Sequence, residues 1–337
     1  MLDKKRTPAP VIFICGKGRS GNTLVGRVLN ERGDVALLQE LHFFGGLWSP
    51  RSGVARLRRD EATTLATELF RRARRFLKDK DIDSKALETE ASMLVSDLPD
   101  DALTAPAVFR EVLSHETYSR GKAICCEQTP RNLFFVGKIL ELFPDARVVV
   151  VVRDPRGVLM AQKERLKQME RWRHAVPAER RRWRINSHPV LVARQWRVAV
   201  RAGERHAGDE RVFVLRFEDL VERPRAVLPR LCDFLGFGFD ESMLDVTHSR
   251  PHVELSGRRG LDPIEAFRWR RRLSPTEIFL CELVARRVMK RLSYEPVGAR
   301  PNPVELARAA AVLPFYAFAA LTLNRSYFYQ LTRWFRR

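Results

Sequence analysis

The chain has 337 residues, of which 45% are hydrophobic and 30% are charged, a composition that supplies a full hydrophobic core and excludes wholesale disorder. Its formal net charge is +20, which favours either an arginine-rich soluble surface or an anionic partner. No two of the five cysteines form a C-x-x-C pair, and we interpret them as reduced, structural residues of a cytosolic protein.

Strands and helices are predicted to alternate along the chain. Short apolar, β-branched runs predict strands at residues 11–15, 35–38, 122–126, 146–152 and 212–216. Helical spacing predicts helices at residues 22–31, 131–143, 190–206, 224–235 and 275–292, with a further helix beginning at Pro155. This alternation predicts the α/β class, as a P-loop-like, doubly wound parallel sheet with helices on both faces.

Two further segments extend this pattern. Residues 54–117 are helical in pattern and rich in charge, which predicts a helical insertion within a main domain of residues 1–300. Residues 301–337 predict an apolar and basic C-terminal helical tail, because residues 309–323 carry no charge and basic and aromatic residues follow them. We expect this tail either to make peripheral membrane contact or to pack on the core or on a second subunit.

The stretch CGKGRSGNTLV, residues 15–25, follows a predicted strand and opens a helix, as a phosphate-binding loop does. It contains the dinucleotide fingerprint G-x-G-x-x-G, with Glu40 near the position expected of a ribose-binding acid. It nearly matches the triphosphate loop G-x-x-x-x-G-K-[ST], but Asn22 replaces the lysine. A third interpretation is a donor with one 5′ phosphate-like group, held without metal by Gly18, Arg19, Ser20, Gly21 and Thr23.

A second candidate anion site follows the strongest predicted strand. Arg153 comes directly after residues 146–152, at the carboxyl end of a central strand, where α/β sheets bind ligands. Its guanidinium is suited to binding a second phosphate of the same donor through paired hydrogen bonds.

Several segments occur in the order and spacing of a known family. They are GKGRSGNTLV, LLQELHFF, CEQTPRN with FPDARVVVVVRDPRGVL, VFVLRFEDLVERPRAVLPRLCDFLGFGFD and FRWRRRLSPTEIFLCELVARRVMKRLSYEP. Together they resemble the sulfotransferases that use 3′-phosphoadenosine 5′-phosphosulfate (PAPS), in particular bacterial and Golgi-type members. The resemblance covers residues 11–296.

The resemblance implies a role for each candidate residue. Glu40 is the first candidate for the general base and His42 the second. Arg19 would stabilise charge on the departing bridging oxygen, as part of a 5′-phosphosulfate loop of Gly18, Arg19, Ser20, Gly21, Asn22 and Thr23. Arg153 would hold the 3′ phosphate, helped by Arg156 or by residues 256–260.

The resemblance also implies the co-substrate and the reaction. PAPS would donate a sulfuryl group to a hydroxyl or amine of a carbohydrate, lipid or other small molecule and leave as the adenosine bisphosphate PAP. No metal and no nucleic-acid partner is expected, and the sequence HSRPH at residues 248–252 is a weak metal candidate because Pro251 would break a helix.

Three departures from the family pattern concern the donor site. Asn22 replaces a threonine of the loop, Gln128 replaces the lysine of the E-K-T-P motif, and Ala161 stands where a serine for the 3′ phosphate usually falls. Two rival interpretations therefore stay open at this point: an NAD-dependent oxidoreductase, and a non-enzymatic basic module that binds nucleic acid or membrane.

Overall fold

The structure is a computed structural model that describes residues 9–50, 53–75, 83–171, 176–247 and 259–323. Five strands form one parallel sheet in the order β2-β3-β1-β4-β5. The strands are β1 (Val11–Gly16), β2 (Val35–Gln39), β3 (Ile124–Gln128), β4 (Arg147–Val152) and β5 (Val212–Arg216). All five predicted strands are therefore confirmed, and so is the α/β fold class.

Helices surround the sheet in the described part of the chain. They are α1 (Asn22–Glu31), α2 (Arg59–Arg74), α3 (Ser84–Ser96), α4 (Ala105–Ser119), α5 (Val136–Leu142), α6 (Pro155–Arg171), α7 (Pro177–Asn186), α8 (Pro189–Glu204), α9 (Phe217–Glu222), α10 (Pro224–Leu235), α11 (Ile264–Phe267), α12 (Trp269–Arg272), α13 (Pro275–Arg291) and α14 (Pro303–Leu323).

The sheet is covered on both faces because its strands are apolar on both sides. In β1, Phe13 and Cys15 pack with residues of α4, α8 and α13, whereas Ile12 and Ile14 pack with residues of α1 and α10. Every residue of β1 is buried. This continuous burial is characteristic of a central parallel strand and produces the doubly wound arrangement.

The parallel register brings the carboxyl ends of the strands to one edge of the sheet. Gly16 of β1 pairs with Val151 of β4, and Ile14 pairs with Gln128 of β3. Gln39, the last residue of β2, also pairs with Gln128. The segments that follow β1, β2, β3 and β4 therefore emerge together, and these segments carry the predicted site residues.

The insertion predicted at residues 54–117 is built from α2, α3 and α4. Asp83 caps α3 by accepting from the Lys85 amide, and Thr104 caps α4 by accepting from the Ala107 amide. The insertion contacts the segment after β2, where the Phe43 and Phe109 rings stack with their centroids 4.1 Å apart. The insertion thus supports the turn that holds Glu40.

One predicted helix has a different structure. Residues 131–143 form a 3₁₀ helix at Pro130–Phe135 followed by α5, because the backbone of Phe135 leaves the helical region at φ −121° and ψ 10°. The Phe135 side chain is buried against the Phe44 ring, with 5.8 Å between ring centroids. Tertiary packing of this aromatic residue accompanies the interruption of the helical pattern.

Candidate active site

The loop between β1 and α1 needs two of its glycines for packing alone. A Cβ on Gly16 would collide with the carbonyl oxygen of Val151, and a Cβ on Gly21 would collide with the Phe217 ring. Gly21 also has a φ of 97°, in the left-handed region that favours glycine. By contrast, a Cβ on Gly18 would have no heavy atom within 4 Å, so the loop faces open space at this residue.

Several features of the loop suit an anion. Helix α1 begins at Asn22 with no side chain capping its amides and no acidic residue in its first turn. The positive end of the helix dipole and its N–H groups therefore face the loop. Arg19 has a φ of 75°, and among the described residues the buried Ser20 Oγ and Asn22 Oδ1 lack hydrogen-bond partners. Orphaned buried polar atoms are costly unless a ligand or water satisfies them.

The candidate bases lie in a strained turn after β2. Glu40 and His42 have φ values of 53° and 50°, which residues with a Cβ rarely adopt. The end of β3 holds the turn: the Glu40 amide donates to the Gln128 carbonyl at 2.7 Å, and the His42 amide donates to Thr129 Oγ1 at 3.4 Å. The Leu41 amide donates to the Glu127 carboxyl group between them. Three consecutive amides thus fix the Glu40 backbone.

Glu40 is charged and close to the loop. Its carboxylate lies 3.8 Å from His42 Nε2 and 3.1 Å from Arg75 Nη2, and its side chain is 41% exposed. The contact with the His42 ring, followed by the positive charges of Arg75 and Arg19, lowers the pKa of Glu40 despite partial burial. Glu40 is therefore ionised at neutral pH, as a proton acceptor must be, and it lies within electrostatic reach of Arg19.

Glu127 is the buried support of this turn. It is 1% exposed and accepts hydrogen bonds from the Thr129 hydroxyl and from Asn132 Nδ2, the latter at 2.6 Å. Burial raises the pKa of Glu127 to about 8. Through its contacts with the Leu41 amide and with Asn132 of the 3₁₀ helix, Glu127 supports the turn that carries Glu40.

Gln128 connects the turn after β2 to the glycine loop. Its backbone carbonyl accepts from the Glu40 amide, and its Oε1 accepts from the Thr23 hydroxyl at 3.1 Å. In this arrangement the Thr23 hydroxyl donates its proton to Gln128 and has none left for a ligand. Gln128 Nε2 is buried without a hydrogen-bond partner among the described residues. The opposite amide orientation would let Nε2 donate to Thr23 and free the hydroxyl proton for a phosphate.

Arg153 follows β4 and reaches back to the glycine loop. Its Nη1 donates to the Arg19 carbonyl at 3.3 Å and its Nη2 donates to the Glu265 carbonyl at 2.9 Å. The guanidinium lies over the Phe217 ring, 4.3 Å from the centroid, and Trp196 Nε1 donates to the Arg153 carbonyl at 2.8 Å. These contacts hold the Arg153 guanidinium next to the glycine loop, where an anion bound by the loop would come close to it.

A cavity of about 440 Å³ opens beside the glycine loop. The loop forms one wall, the 3₁₀ helix after β3 forms a second, and α6, α7 and α8 form the rest. Lys17 lines this cavity, although its position in the loop gave the sequence analysis no reason to single it out. Glu40 and His42 are not among the lining residues, although Arg19 links the two regions.

The chain was compared with known proteins. A family model described as "Sulfotransferase family" matches residues 10–241, which is more than half of the chain. This chain belongs to the sulfotransferase family. This membership confirms the resemblance, identifies an enzyme that transfers sulfuryl groups, and sets aside both rival interpretations.

Individual relatives of this sulfotransferase are distant but span most of it. The human protein "Carbohydrate sulfotransferase 6" is 24% identical over 342 residues, which cover 88% of this chain and 83% of that protein. The sulfotransferase domain of the Synechococcus PCC 7002 olefin synthase has a TM-score of 0.52 at 20% identity, covering 88% of this chain and 98% of the domain. The sulfotransferase domain of the curacin biosynthetic pathway has a TM-score of 0.51 at 19% identity, with coverages of 86% and 99%.

Arg156 of this sulfotransferase has other partners than the predicted phosphate. Its guanidinium binds the Asp154 carboxylate and donates to Glu282 Oε1 at 2.6 Å, and it stacks on the Trp269 ring at 3.9 Å. It is 2% exposed, so its charge is neutralised inside the core. The prediction that Arg156 assists Arg153 is corrected by this geometry, because a buried arginine with two carboxylates has no charge to offer a ligand.

Glu218 and Ala161 are both buried. Glu218 accepts hydrogen bonds from the Asp154 amide at 2.9 Å and from the Tyr294 hydroxyl at 2.8 Å. Burial, and then the charge of Asp154, raise the pKa of Glu218. Ala161, which replaces the family's serine, is buried on α6.

Some predictions concern residues outside the described ranges. These are HSRPH at residues 248–252, residues 256–258 of the segment suggested to help Arg153, and residues 324–337 of the tail. Within the ranges that the structure covers, no group of three or more His, Cys, Asp or Glu side chains could hold a metal ion.

Proposed function

We propose that this sulfotransferase uses PAPS as its donor and that the segments after β1, β2 and β4 divide the chemistry between them. One observation carries the proposal: Arg19 is linked to both other segments, through its carbonyl to Arg153 and through its charge to Glu40. A donor with phosphates at both ends of its ribose needs two anion sites this close, and a proton acceptor next to the sulfuryl group.

The residues then act in sequence on the acceptor. Glu40 takes the proton from the acceptor hydroxyl or amine as the acceptor's oxygen or nitrogen forms a bond to sulfur. The bond between sulfur and the bridging oxygen breaks, and that oxygen keeps the electron pair as part of the departing PAP. Arg19 and the first amides of α1 stabilise the charge that develops there, a contribution of about 3–4 kcal/mol for one good donor.

The remaining residues hold the donor in line. The amides of residues 18–23 and the Ser20 hydroxyl bind the 5′ phosphate, which supplies the partner that the buried Ser20 Oγ lacks among the described residues. Arg153 binds the 3′ phosphate. Asn22 is 3% exposed and donates to the Lys17 carbonyl at 3.3 Å, so we assign it to the shape of the loop.

The test separates chemistry from donor binding. Arg19→Met should lower the turnover of ³⁵S-labelled PAPS by about 10²–10³-fold while weakening PAP binding much less, because Arg19 acts mainly on charge that develops during transfer. Arg147→Met is the matched control, since it removes the same charge at the amino end of β4, on the opposite edge of the sheet. Equal losses of turnover and PAP affinity in Arg19→Met would reject this role.

We also propose that the enzyme is cytoplasmic and contacts a membrane through residues 301–337. Free, buried cysteines in the described ranges support a reducing compartment. Helix α14 is long and apolar enough to cross a membrane by length and composition. Its Ala319 and Ala320 pack against Ile185 and Leu191, whereas Phe315 and Phe318 are 59% and 68% exposed. A helix that packs on the protein with one face and exposes aromatic side chains on another is suited to lie in the membrane interface.

A further inference from the structure

The cavity beside the glycine loop contains an unusual amount of positive charge. One face of α7 contributes Glu179, Arg182, Trp183 and Asn186, whose spacing of three, four and seven residues is that of one helix face. Lys17 of the glycine loop and Arg131 of the 3₁₀ helix also line the cavity. Glu179 is the one carboxylate among the lining residues, so the cations outnumber it.

The cavity lies at the reacting end of the donor site. Its lining includes Gly16, Lys17, Gly18 and Arg19 of the glycine loop. It does not include Arg153, nor Phe217 and Glu265, which hold the Arg153 guanidinium. On the proposed function, the sulfuryl group is at Arg19 and the 3′ phosphate at Arg153. The cavity therefore adjoins the sulfuryl end of the donor, and an acceptor held in it would extend past Arg19 to reach Glu40, which is outside the lining.

Lys17 is a half-buried cation for which the described part of the chain provides no ion pair. The structure records no hydrogen bond for its ammonium group within those ranges, and desolvation lowers its pKa to about 8. Partial desolvation of an unpaired cation is unfavourable, and an anionic ligand would offset that cost. Arg182, on the facing helix, is exposed and adds a bidentate donor to the same cavity.

The neutral residues of the cavity are suited to a sugar ring. Phe134 and Trp183 present aromatic surfaces, and Gln162, Asn186 and Gln195 present amides that can donate and accept hydrogen bonds. Aromatic surfaces contact the apolar face of a ring while amides pair with its hydroxyl groups.

We propose that the acceptor is an anionic sugar, whose carboxylate, phosphate or sulfate group is held by Lys17 and Arg182 while a neighbouring hydroxyl or amine faces Arg19. This inference rests on the proposed function, because it assigns the cavity to the acceptor. It differs from a donor role for Lys17, in which the ammonium would contact the phosphosulfate itself.

The experiment is calorimetry on the PAP-saturated enzyme with three probes of one ring type. Glucuronic acid and glucose 6-phosphate carry an anion, and glucose is the neutral match. We expect both anionic probes, or one of them, to bind at least about tenfold tighter than glucose, a difference of about 1.4 kcal/mol. A preference for one probe would identify the anion as a carboxylate or a phosphate.

Variants locate the anion site. Lys17→Gln and Arg182→Gln should each remove most of the preference for the anionic probe, whereas Arg181→Gln, the exposed neighbour on α7, should retain it. At pH 8, near the pKa of Lys17, binding of the anion should take up a proton, which appears as a dependence of the measured heat on buffer. Lys17→Gln should abolish this proton uptake.

Several outcomes would overturn the inference. These are equal affinity for charged and neutral probes, no binding of any probe, and a loss in Lys17→Gln that falls on PAP instead of on the anionic sugar. The titrations are repeated without PAP, so that a failure of PAP binding in the wild-type enzyme counts against the proposed donor and leaves the sugar result to be judged separately.

Discussion

Glu40 and His42 are two residues apart, and the structure distinguishes their chemistry. Both have positive φ values, so side chains with a Cβ are kept at two strained positions of one turn. Of the pair, Glu40 is within the electrostatic influence of Arg19, and the contact with the His42 ring lowers the pKa of Glu40. His42, the second candidate for the base, therefore also favours the ionised form of Glu40.

Substitution of each residue tests which one accepts the proton. Glu40→Gln should lower turnover by about 10²–10⁴-fold, the usual contribution of a general base, with PAP affinity preserved. His42→Gln should cost about tenfold or less, since it removes only the contact of the imidazole with the Glu40 carboxylate. A larger loss in His42→Gln than in Glu40→Gln would reverse the assignment.

The pH dependence follows from the direction of the Glu40 pKa shift. A lowered pKa keeps the carboxylate ionised below its ordinary value of 4.5, so turnover that depends on Glu40 should persist as pH falls to that value. In His42→Gln the largest cause of the shift is lost, and the acidic limb of turnover against pH should move upward. An acidic limb near pH 6.5 in the wild type would instead indicate histidine.

Individual residues also show where sequence patterns are insufficient. Arg153 and Arg156 are equivalent cations in the sequence RDPRG, and both were predicted to contact phosphate. Only the fold reveals that Glu282 of α13 and Trp269 of α12 meet Arg156, while Arg153 turns toward the glycine loop. Partners more than 100 residues away along the chain have no local signature.

At the scale of elements, helix α7 lies between the cavity and helix α14. Its face at Glu179, Arg182, Trp183 and Asn186 lines the cavity, whereas Ile185 packs with Ala319 and Ala320 of α14. His188, just after α7, hydrogen-bonds the Ala309 carbonyl at 3.3 Å. The proposed membrane helix and the acceptor cavity thus share one wall.

The exposed face of α14 predicts lipid binding that can be measured by sedimentation. Wild-type enzyme should pellet with vesicles of phosphatidylcholine and phosphatidylglycerol, because apolar burial and the arginines of α7 and of residues 324–337 both favour an anionic surface. Phe315→Glu with Phe318→Glu should remain in the supernatant. Leu283→Glu, which changes a 61% exposed leucine on α13, should pellet like the wild type.

Two results would contradict this prediction. One is wild-type enzyme that does not pellet with the anionic vesicles. The other is a wild-type dimer that the double variant on α14 converts to monomer, which would show that a second copy of the chain covers this face.

At the scale of the whole molecule, the sheet was predictable because its signals are local. Continuous apolar runs marked all five strands, and the bounds of α1 were predicted as observed at Asn22–Glu31. The 3₁₀ segment at Pro130–Phe135 was not predicted, and the packing of Phe135 on the distant Phe44 ring that accompanies it has no local signal in the sequence. The cavity cation Lys17 was missed for a similar reason: its environment depends on α6, α7 and α8, which follow it by more than 100 residues.

The net charge of +20 is consistent with three anionic partners acting at different places: the donor at the glycine loop and Arg153, the acceptor at Lys17 and Arg182, and lipid at α14. The first of these is the central claim, since the acceptor site and the division of catalytic roles are defined relative to the donor.

Calorimetric titration with PAP is the most direct test of that claim, with NAD and ATP as competitors and Arg153→Ala as the variant. The account predicts tight binding of PAP, much weaker binding of NAD and ATP, and a loss of about tenfold or more in Arg153→Ala from removal of the charge-assisted hydrogen bonds. Absence of PAP binding by the wild-type enzyme would contradict it, and would mean that Gln128 and Ala161 mark a donor site that no longer accepts PAPS.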